Sequence, residues 1–374
     1  MHQIPIFRPS VSHLEEEYVK AALNSKSVDL IERFEEKLKD YFGVKYAITT
    51  NNGTAAKHLL LCAMDLKRGD RVVCSVNSEI GVPTVIRHFD AEPIFCDIDR
   101  RDYNIDPNKL DETLKTHSHK KLKAVFLNHI GGQVSDIEAI QEVANAHGVV
   151  VFDDAISVVG AKHKGKFVGT HNLAGCIQIN PQLNNSPAST GVILTNDEKI
   201  ATRAKLIRSH AIVNEGLKLS GNLDYVYDVV EAGCKYDLNT LPAAFNLAQF
   251  ERLESFITRR KAIAARYFES LQNLPNIKLI EPIREHIYTA FIIEISKNRD
   301  IFAKKLKALG VSTMLNYIPM HLLTYYKNKY HYKVNDFPVV LSAYQHYLSL
   351  PIFEDMSDAE VKQVIDAVKK VAND

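Results

Sequence analysis

The chain has 374 residues, 46% of them hydrophobic and 24% charged, with 46 Lys and Arg against 45 Asp and Glu for a formal charge of +1. That length exceeds what one hydrophobic core serves, so two unequal domains are expected, and the apolar content excludes a disordered chain. Near-neutral charge argues against nucleic acid as a partner, because a phosphate backbone calls for a basic face.

No run approaches the ~20 apolar residues of a membrane helix. The opening MHQIPIFRPS has no apolar stretch of the kind that directs secretion, so a cytoplasmic protein without a membrane partner is expected. The five cysteines, Cys62, Cys74, Cys96, Cys176 and Cys234, are scattered without a CxxC. They read as small buried apolar residues in a reducing compartment, and no metal site is expected in the chain.

In chain order, Tyr46–Thr49 reads as a strand that runs into Asn52-Gly53-Thr54-Ala55-Ala56 at the start of a helix reaching Met64. Glycine and small residues there let backbone N–H groups approach an anion, aided by the helix dipole; a plain turn is the alternative. From about 45 to 210, short apolar runs alternate with amphipathic stretches. Arg71–Val76, Pro93–Asp97, Lys123–Asn128, Val149–Phe152, Gly175–Ile179 and Val192–Thr195 are continuously apolar, the pattern of strands covered on both faces. Ser135 is placed as the cap of a helix whose Ile137, Ile140, Val143 and Ala144 share one stripe. The run Thr116–His119 lies in a lysine-rich, solvated loop.

This βαβα rhythm predicts an α/β fold with a mostly parallel, doubly wound sheet. Asp153-Asp154 close one of its strands, where ligands bind in such sheets, although a carboxylate there also serves as a helix cap. A long helical stretch is expected at about 238–271, with Pro242 near its first turn. Beyond it, Tyr288–Ile295 reads as a strand, Arg299–Leu309 as a helix and Ser357-Asp358-Ala359-Glu360 as a capping box. These assign residues 1–250 to a large domain and 251–374 to a smaller α+β domain, joined by the long helix.

Several motifs recur in a specific order. They include Ile4-Pro5-Ile6-Phe7-Arg8-Pro9, Tyr41-Phe42-Gly43-Val44-Lys45-Tyr46-Ala47, Asn52-Gly53-Thr54-Ala55-Ala56 and Pro93-Ile94-Phe95-Cys96-Asp97-Ile98-Asp99. Later come Asp153-Asp154-Ala155, Leu247-Ala248-Gln249, Tyr317-Ile318-Pro319 and Leu348-Ser349-Leu350-Pro351. Over nearly the whole chain this order resembles the DegT/DnrJ/EryC1/StrS family of sugar-nucleotide aminotransferases. The resemblance implies the fold-type-I architecture of pyridoxal-phosphate (PLP) enzymes, a place in polysaccharide or deoxyamino-sugar biosynthesis, PLP as cofactor and a nucleotide-sugar as ligand. It also implies a homodimer with shared active sites, Ala243–Leu253 matching the helix near that interface. At the cofactor site it implies Gly53, Thr54 and Ala55 at the phosphate cup and Asp154 as partner of the pyridine nitrogen.

Departures from the family pattern gather at that same site. The Schiff-base lysine position falls on Leu183, and no lysine occurs between Lys166 and Lys199. Leucine can neither form an imine nor carry a proton, which sets the chain against the family's use of PLP. Gln178 stands for the phosphate-binding serine, Glu79 for the aromatic that stacks on the ring, and Ser157 for the Gln or His after the aspartate. The cross-subunit loop reads Gly233-Cys234-Lys235-Tyr236-Asp237, and the glycine-rich turn has become Ala188-Ser189-Thr190-Gly191. Lys57 replaces a leucine, with two roles open: meeting an anion, or snorkelling to solvent. The turn at Leu23–Asp29 is altered as well.

Three functional readings follow. The first is a homologue that no longer transaminates and binds a nucleotide-sugar or serves as a non-catalytic partner. In the second, the chain is an active aminotransferase or dehydratase of keto-sugars that uses PLP or its aminated form and draws a reactive group from elsewhere, such as Lys235 of a neighbouring subunit. The third is PLP-independent chemistry on a keto-sugar with Glu79, Asp153 and Asp154 as acid and base.

Overall fold

The computed structural model describes residues 3–24, 30–179, 187–213 and 226–374; Leu183 and most of the altered Leu23–Asp29 turn lie outside them. The chain opens with α1 (His13–Asn24) and α2 (Leu30–Phe42), followed by β1 (Tyr46–Thr50), α3 (Gly53–Ala63), β2 (Arg71–Ser75), α4 (Gly81–His88) and β3 (Glu92–Cys96). Next come α5 (Pro107–Thr116), β4 (Leu122–Asn128), α6 (Ile137–Ala146), β5 (Val150–Asp154) and a short hairpin of β6 (Lys162–His163) with β7 (Lys166–Phe167). After β8 (Ala174–Ile179), β9 (Thr190–Thr195) and α7 (Glu198–Arg208), a second small pair joins β10 (Ile212–Val213) to β11 (Asp228–Val229).

Seven of these strands make one sheet in the order β1-β9-β8-β5-β4-β2-β3. The pairs β3–β2, β2–β4, β4–β5 and β5–β8 are parallel, whereas β9 is antiparallel to both β8 and β1. The mostly parallel, doubly wound expectation therefore holds, with a reversed strand near one edge. Helices cover both faces, which is why these strands are apolar throughout: β9 is buried at all six positions. One face packs on Phe34, Leu38, Ile137, Ile140 and Leu247, the other on Leu59, Leu60, Val82, Ile86 and Ile207.

The remainder comprises α8 (Thr240–Glu251), α9 (Leu253–Leu271), β12 (Ile277–Leu279), β13 (Phe291–Ile295), α10 (Arg299–Ala308), α11 (Thr324–Tyr330), α12 (Pro338–His346), β14 (Tyr347–Leu350) and α13 (Asp358–Asn373). Strands β12, β13 and β14 form a separate antiparallel sheet. Its core holds Tyr267, Phe291, Ile293, Leu306, Val364 and Val368, joined by Ile4 and Phe7 from the N-terminus.

Local assignments needed correction in three places. The stretch at 238–271 is two helices meeting at Arg252 (φ −95°, ψ 0°), whose guanidinium is drawn to the Ser10 hydroxyl at 2.9 Å and to Glu15 at 2.7 Å. Asp136, not Ser135, caps α6, because the Ser135 hydroxyl is spent on the Asn128 carbonyl at 2.5 Å. Strand β13 starts at Phe291, since Tyr288 takes a left-handed φ of 52°. The capping box at Ser357 and Glu360 forms as read.

Candidate active site

The C-terminal ends of β1, β2, β5 and β8 all open on the same edge of the sheet, the place where such sheets bind ligands. Strand β1 leads through Asn52 into α3, β2 leads to Asn77 and Glu79, β5 ends on Asp154, and β8 carries Gln178. Topology thus brings together five residues read from the sequence: Gly53, Ala55, Glu79, Asp154 and Gln178.

At their centre is a residue whose role the sequence left open. Lys57, on the second turn of α3, is completely buried. Its ammonium donates to Glu79 Oε2 at 2.8 Å and to Asp154 Oδ2 at 2.9 Å. Of the two roles left open, snorkelling to solvent does not hold, and the anions that the ammonium meets are the chain's own carboxylates. Burial works to lower its pKa, but the Asp154 and Glu79 charges prevail and hold the ammonium above its ordinary value. Glu79 is also pushed up by burial, yet the charge and hydrogen bond of Lys57 outweigh that and leave its carboxyl below the usual range. Asp154, buried more deeply, remains raised by burial despite the ammonium.

The helix N-terminus is likewise served from within the chain. Gly53 N–H donates to Gln178 Oε1 at 2.9 Å, and Ala55 N–H donates to Asn52 Oδ1 at 2.8 Å. Gln178 thus supplies the neutral acceptor that an anion's oxygen would otherwise provide at this helix start. A Cβ on Gly53 would lie 2.4 Å from Gln178 Oε1 and 2.9 Å from Ile156 Cδ1, and one on Gly191 would lie 2.1 Å from the Asn52 carbonyl oxygen. Both glycines are therefore fixed by close approach. Thr54 is exposed.

Ser157 sits in a short 3₁₀ turn after β5, its carbonyl accepting from Thr289 Oγ1 at 3.0 Å. Lys235 lies apart and two-thirds exposed, its ammonium 2.8 Å from Asp237 of the same loop. Asp153 faces elsewhere than Asp154, as neighbours on a strand must: it accepts from Asn172 Nδ2 at 2.8 Å and stands 3.7 Å from His129 Nε2.

Tyr317 belongs to the site although its motif did not single it out. Asn77 Oδ1 accepts from its backbone N–H at 3.1 Å and from the Tyr347 hydroxyl at 3.2 Å, pinning the 316–321 loop over the end of β2. Burial, then the Glu79 and Asp154 charges, push the Tyr317 phenol up to about 12. Beside Gln178 a cleft of about 630 Å³, open to solvent, is lined by Phe7, Ile156, Phe250, Phe256, Arg260 and Thr289 among others.

A match to the DegT/DnrJ/EryC1/StrS aminotransferase family model spans residues 9–369. The chain belongs to that family. An uncharacterized protein of Methanocaldococcus jannaschii is 31% identical, with 99% of this chain and 98% of that one covered. The spore coat polysaccharide biosynthesis protein SpsC of Bacillus subtilis is 29% identical (99% and 97% covered), and the GDP-perosamine synthase of Caulobacter vibrioides is also 29% identical (99% and 98%). Among solved structures, a DegT/DnrJ/EryC1/StrS aminotransferase from Brucella abortus is 25% identical with a TM-score of 0.84, covering 97% of this chain and 96% of its own. The aminotransferase TlmJ of Streptoalloteichus hindustanus, at 24% identity, superposes with a TM-score of 0.88 over 98% of both chains. The fold is therefore that of fold-type-I aminotransferases. Among the described residues, no helix is long and apolar enough to cross a membrane.

PLP is the cofactor associated with this family, and three features of the site bear on whether these residues would hold it. One oxygen of Asp154, Oδ2, already holds an ammonium at 2.9 Å. Its other oxygen, Oδ1, is buried without a hydrogen-bond partner among the described residues, so an acceptor remains. A pyridinium on it would stand beside Lys57, and two cations about 5 Å apart repel by about 3 kcal/mol at an effective dielectric near 20. The Glu79 carboxylate stands on the far side of the same ammonium, and the Gly53 N–H is engaged by Gln178.

Proposed function

We propose that this chain is a DegT/DnrJ/EryC1/StrS family member that does not transaminate and that binds a nucleotide-linked sugar in its cleft without PLP. The observation that carries this reading is the Lys57–Asp154–Glu79 cluster, in which the chain supplies its own cation to the aspartate. The absence of any lysine between Lys166 and Lys199, with Leu183 at the tether position, supports it from the sequence side. The cleft beside Gln178, whose apolar wall of Ile156, Phe250 and Phe256 is interrupted by Ser10, Arg260, Thr289 and Glu354, suits a ligand that carries hydroxyl groups. The protein acts on this reading as a cytoplasmic homodimer. The exposed apolar residues Ile212, Tyr227, Val229 and Val230, around the β10–β11 pair, support the dimer.

Two titrations test the reading. Added PLP with an amino donor should produce no imine absorbance and no borohydride-trapped lysine on any subunit. UDP-, GDP- or dTDP-linked sugars should stabilise the folded chain by about 2.7 kcal/mol at a hundredfold excess over Kd, read as a higher melting temperature. A trapped aldimine would overturn the proposal. A second reading, PLP-independent acid–base chemistry, draws on the opposite displacements of the Glu79 and Asp154 carboxyls. Turnover of a keto-sugar, rather than stabilisation alone, would favour it.

A further inference from the structure

The face of α3 adjoining the one that carries Lys57 holds a second cluster, unrelated to the cleft chemistry. His58 and Cys62, four residues apart, project from the same side of the helix. Cys234, more than 170 positions later, is brought against them by the segment after β11. His58 Nδ1 lies 3.7 Å from Cys62 Sγ and 4.0 Å from Cys234 Sγ, and the three ligand atoms all fall within 4.8 Å of one another. These are separations that an ion bound at about 2.0–2.3 Å from each donor draws together with small side-chain movements.

The surroundings hold the donors in place. The His58 ring stacks on Phe89, centroids 4.9 Å apart, and its Nδ1 is 3.2 Å from the Tyr236 hydroxyl. Cys234 is fixed by its backbone: its N–H donates to the Ile207 carbonyl at 2.7 Å, and its carbonyl accepts from His210 N–H at 2.8 Å. Gly233 before it permits this, since a Cβ there would sit 2.4 Å from the Ala211 nitrogen. Arg203 Nε donates to the Cys62 carbonyl at 3.3 Å, fixing the backbone at that donor. All three donors are half-buried, so an ion has access while most of its shell is protein.

We propose that His58, Cys62 and Cys234 bind a thiophilic divalent cation, Zn(II), with the Tyr236 phenol or a solvent molecule completing a tetrahedral set. Two thiolates and an imidazole are the donor types zinc prefers, and both thiol protons leave to solvent as the two metal–sulfur bonds form. The ion clamps the 233–237 segment to α3. Tyr236 already ties that segment to the helix start, its carbonyl accepting from Asn51 N–H at 3.0 Å. The site is structural, and it stands or falls independently of the proposed loss of transamination.

The test uses the full chain, free of tags, reduced and stripped with chelator. Zn(II) added under reducing conditions should be retained at one ion per chain by elemental analysis. Co(II) in its place should give the intense thiolate-to-metal absorption of a sulfur-bound tetrahedral site. Cys62→Ser and Cys234→Ser should each weaken Co(II) binding by roughly 100-fold or more while leaving the circular dichroism spectrum intact. Should either variant misfold, the wild-type stoichiometry and cobalt spectrum decide alone. Retention well short of one ion per chain would overturn the proposal. So would a cobalt spectrum without sulfur bands, or a Cys62–Cys234 disulfide in protein that takes up no metal once reduced.

Discussion

Lys57 shows how one side chain redirects a site. A fully buried ammonium is costly unless compensated, and here two carboxylates, Asp154 at the end of β5 and Glu79 in the segment after β2, supply the compensation. Removing it strands Asp154 as an unpaired buried charge. Lys57→Met is therefore expected to cost about 3–5 kcal/mol, the usual penalty for breaking a buried pair. The loss should depend on pH with a definite sign. Without the ammonium, burial raises Asp154 further above its unfolded value of 3.8, so the variant loses stability as pH rises through the carboxylate range. Melting curves of the two proteins should lie closest near pH 4 and separate towards neutrality. A gap that is constant, or that closes as pH rises, would show that Lys57 does not neutralise Asp154. The sequence placed Lys57, Glu79 and Asp154 individually but not as a cluster. Their spacings, 22 and 97 residues, carry no periodic signal, and only the convergence of strand ends creates the contact.

Among the elements, what was legible followed from periodicity and local capping, and what was not followed from tertiary choice. Continuous apolar runs marked the buried strands because helices cover both faces, but direction leaves no trace in such runs, so the reversal of β9 was invisible. The break between α8 and α9 was hidden for a related reason: Arg252 is an ordinary helix former, and its turn is dictated by Ser10 and Glu15 far away in sequence. The capping box of α13 was readable because both partners lie within four residues. The structure adds Arg8, whose guanidinium bonds both Glu360 oxygens at 3.0 and 3.1 Å and ties the N-terminal segment to the last helix. The Arg8 hydrogen bonds, with those from Ser357, hold the Glu360 carboxyl down at about 2, against an ordinary 4.5. A depressed carboxyl contributes stability above its unfolded value and loses it as pH falls through the folded one. Glu360→Gln is thus expected to cost about 1–2 kcal/mol at neutral pH, from the cap and the charge-assisted bonds together. Its difference from wild type should shrink as pH drops from about 4.5 towards 2, in thermal melts followed by circular dichroism. A difference that persists undiminished in acid would assign the effect to packing instead.

For the whole molecule, the proposed homodimer makes a demand on the surface. The described residues leave Tyr227, Val229 and Val230 more than half exposed and Ile212 43% exposed, all on or beside the β10–β11 pair. Scattered apolar side chains are ordinary on a soluble surface, but four in one small antiparallel unit form a patch that association would cover. Burying a valine side chain contributes about 1.5–3 kcal/mol, so Val229→Asp with Val230→Asp removes at least about 3 kcal/mol before any cost of desolvating the new carboxylates. At 1.4 kcal/mol per tenfold, the dimer should weaken by about a hundredfold or more. Sedimentation equilibrium over a range of concentrations reads this directly, with wild type as a dimer and the double variant shifted towards monomer. The pair is exposed and bonded to the body mainly through backbone, Val230 N–H donating to the Ala211 carbonyl at 3.2 Å, so the fold itself should survive. A wild-type monomer would refute the dimer, and an unchanged dissociation constant in the double variant would move the interface to another face.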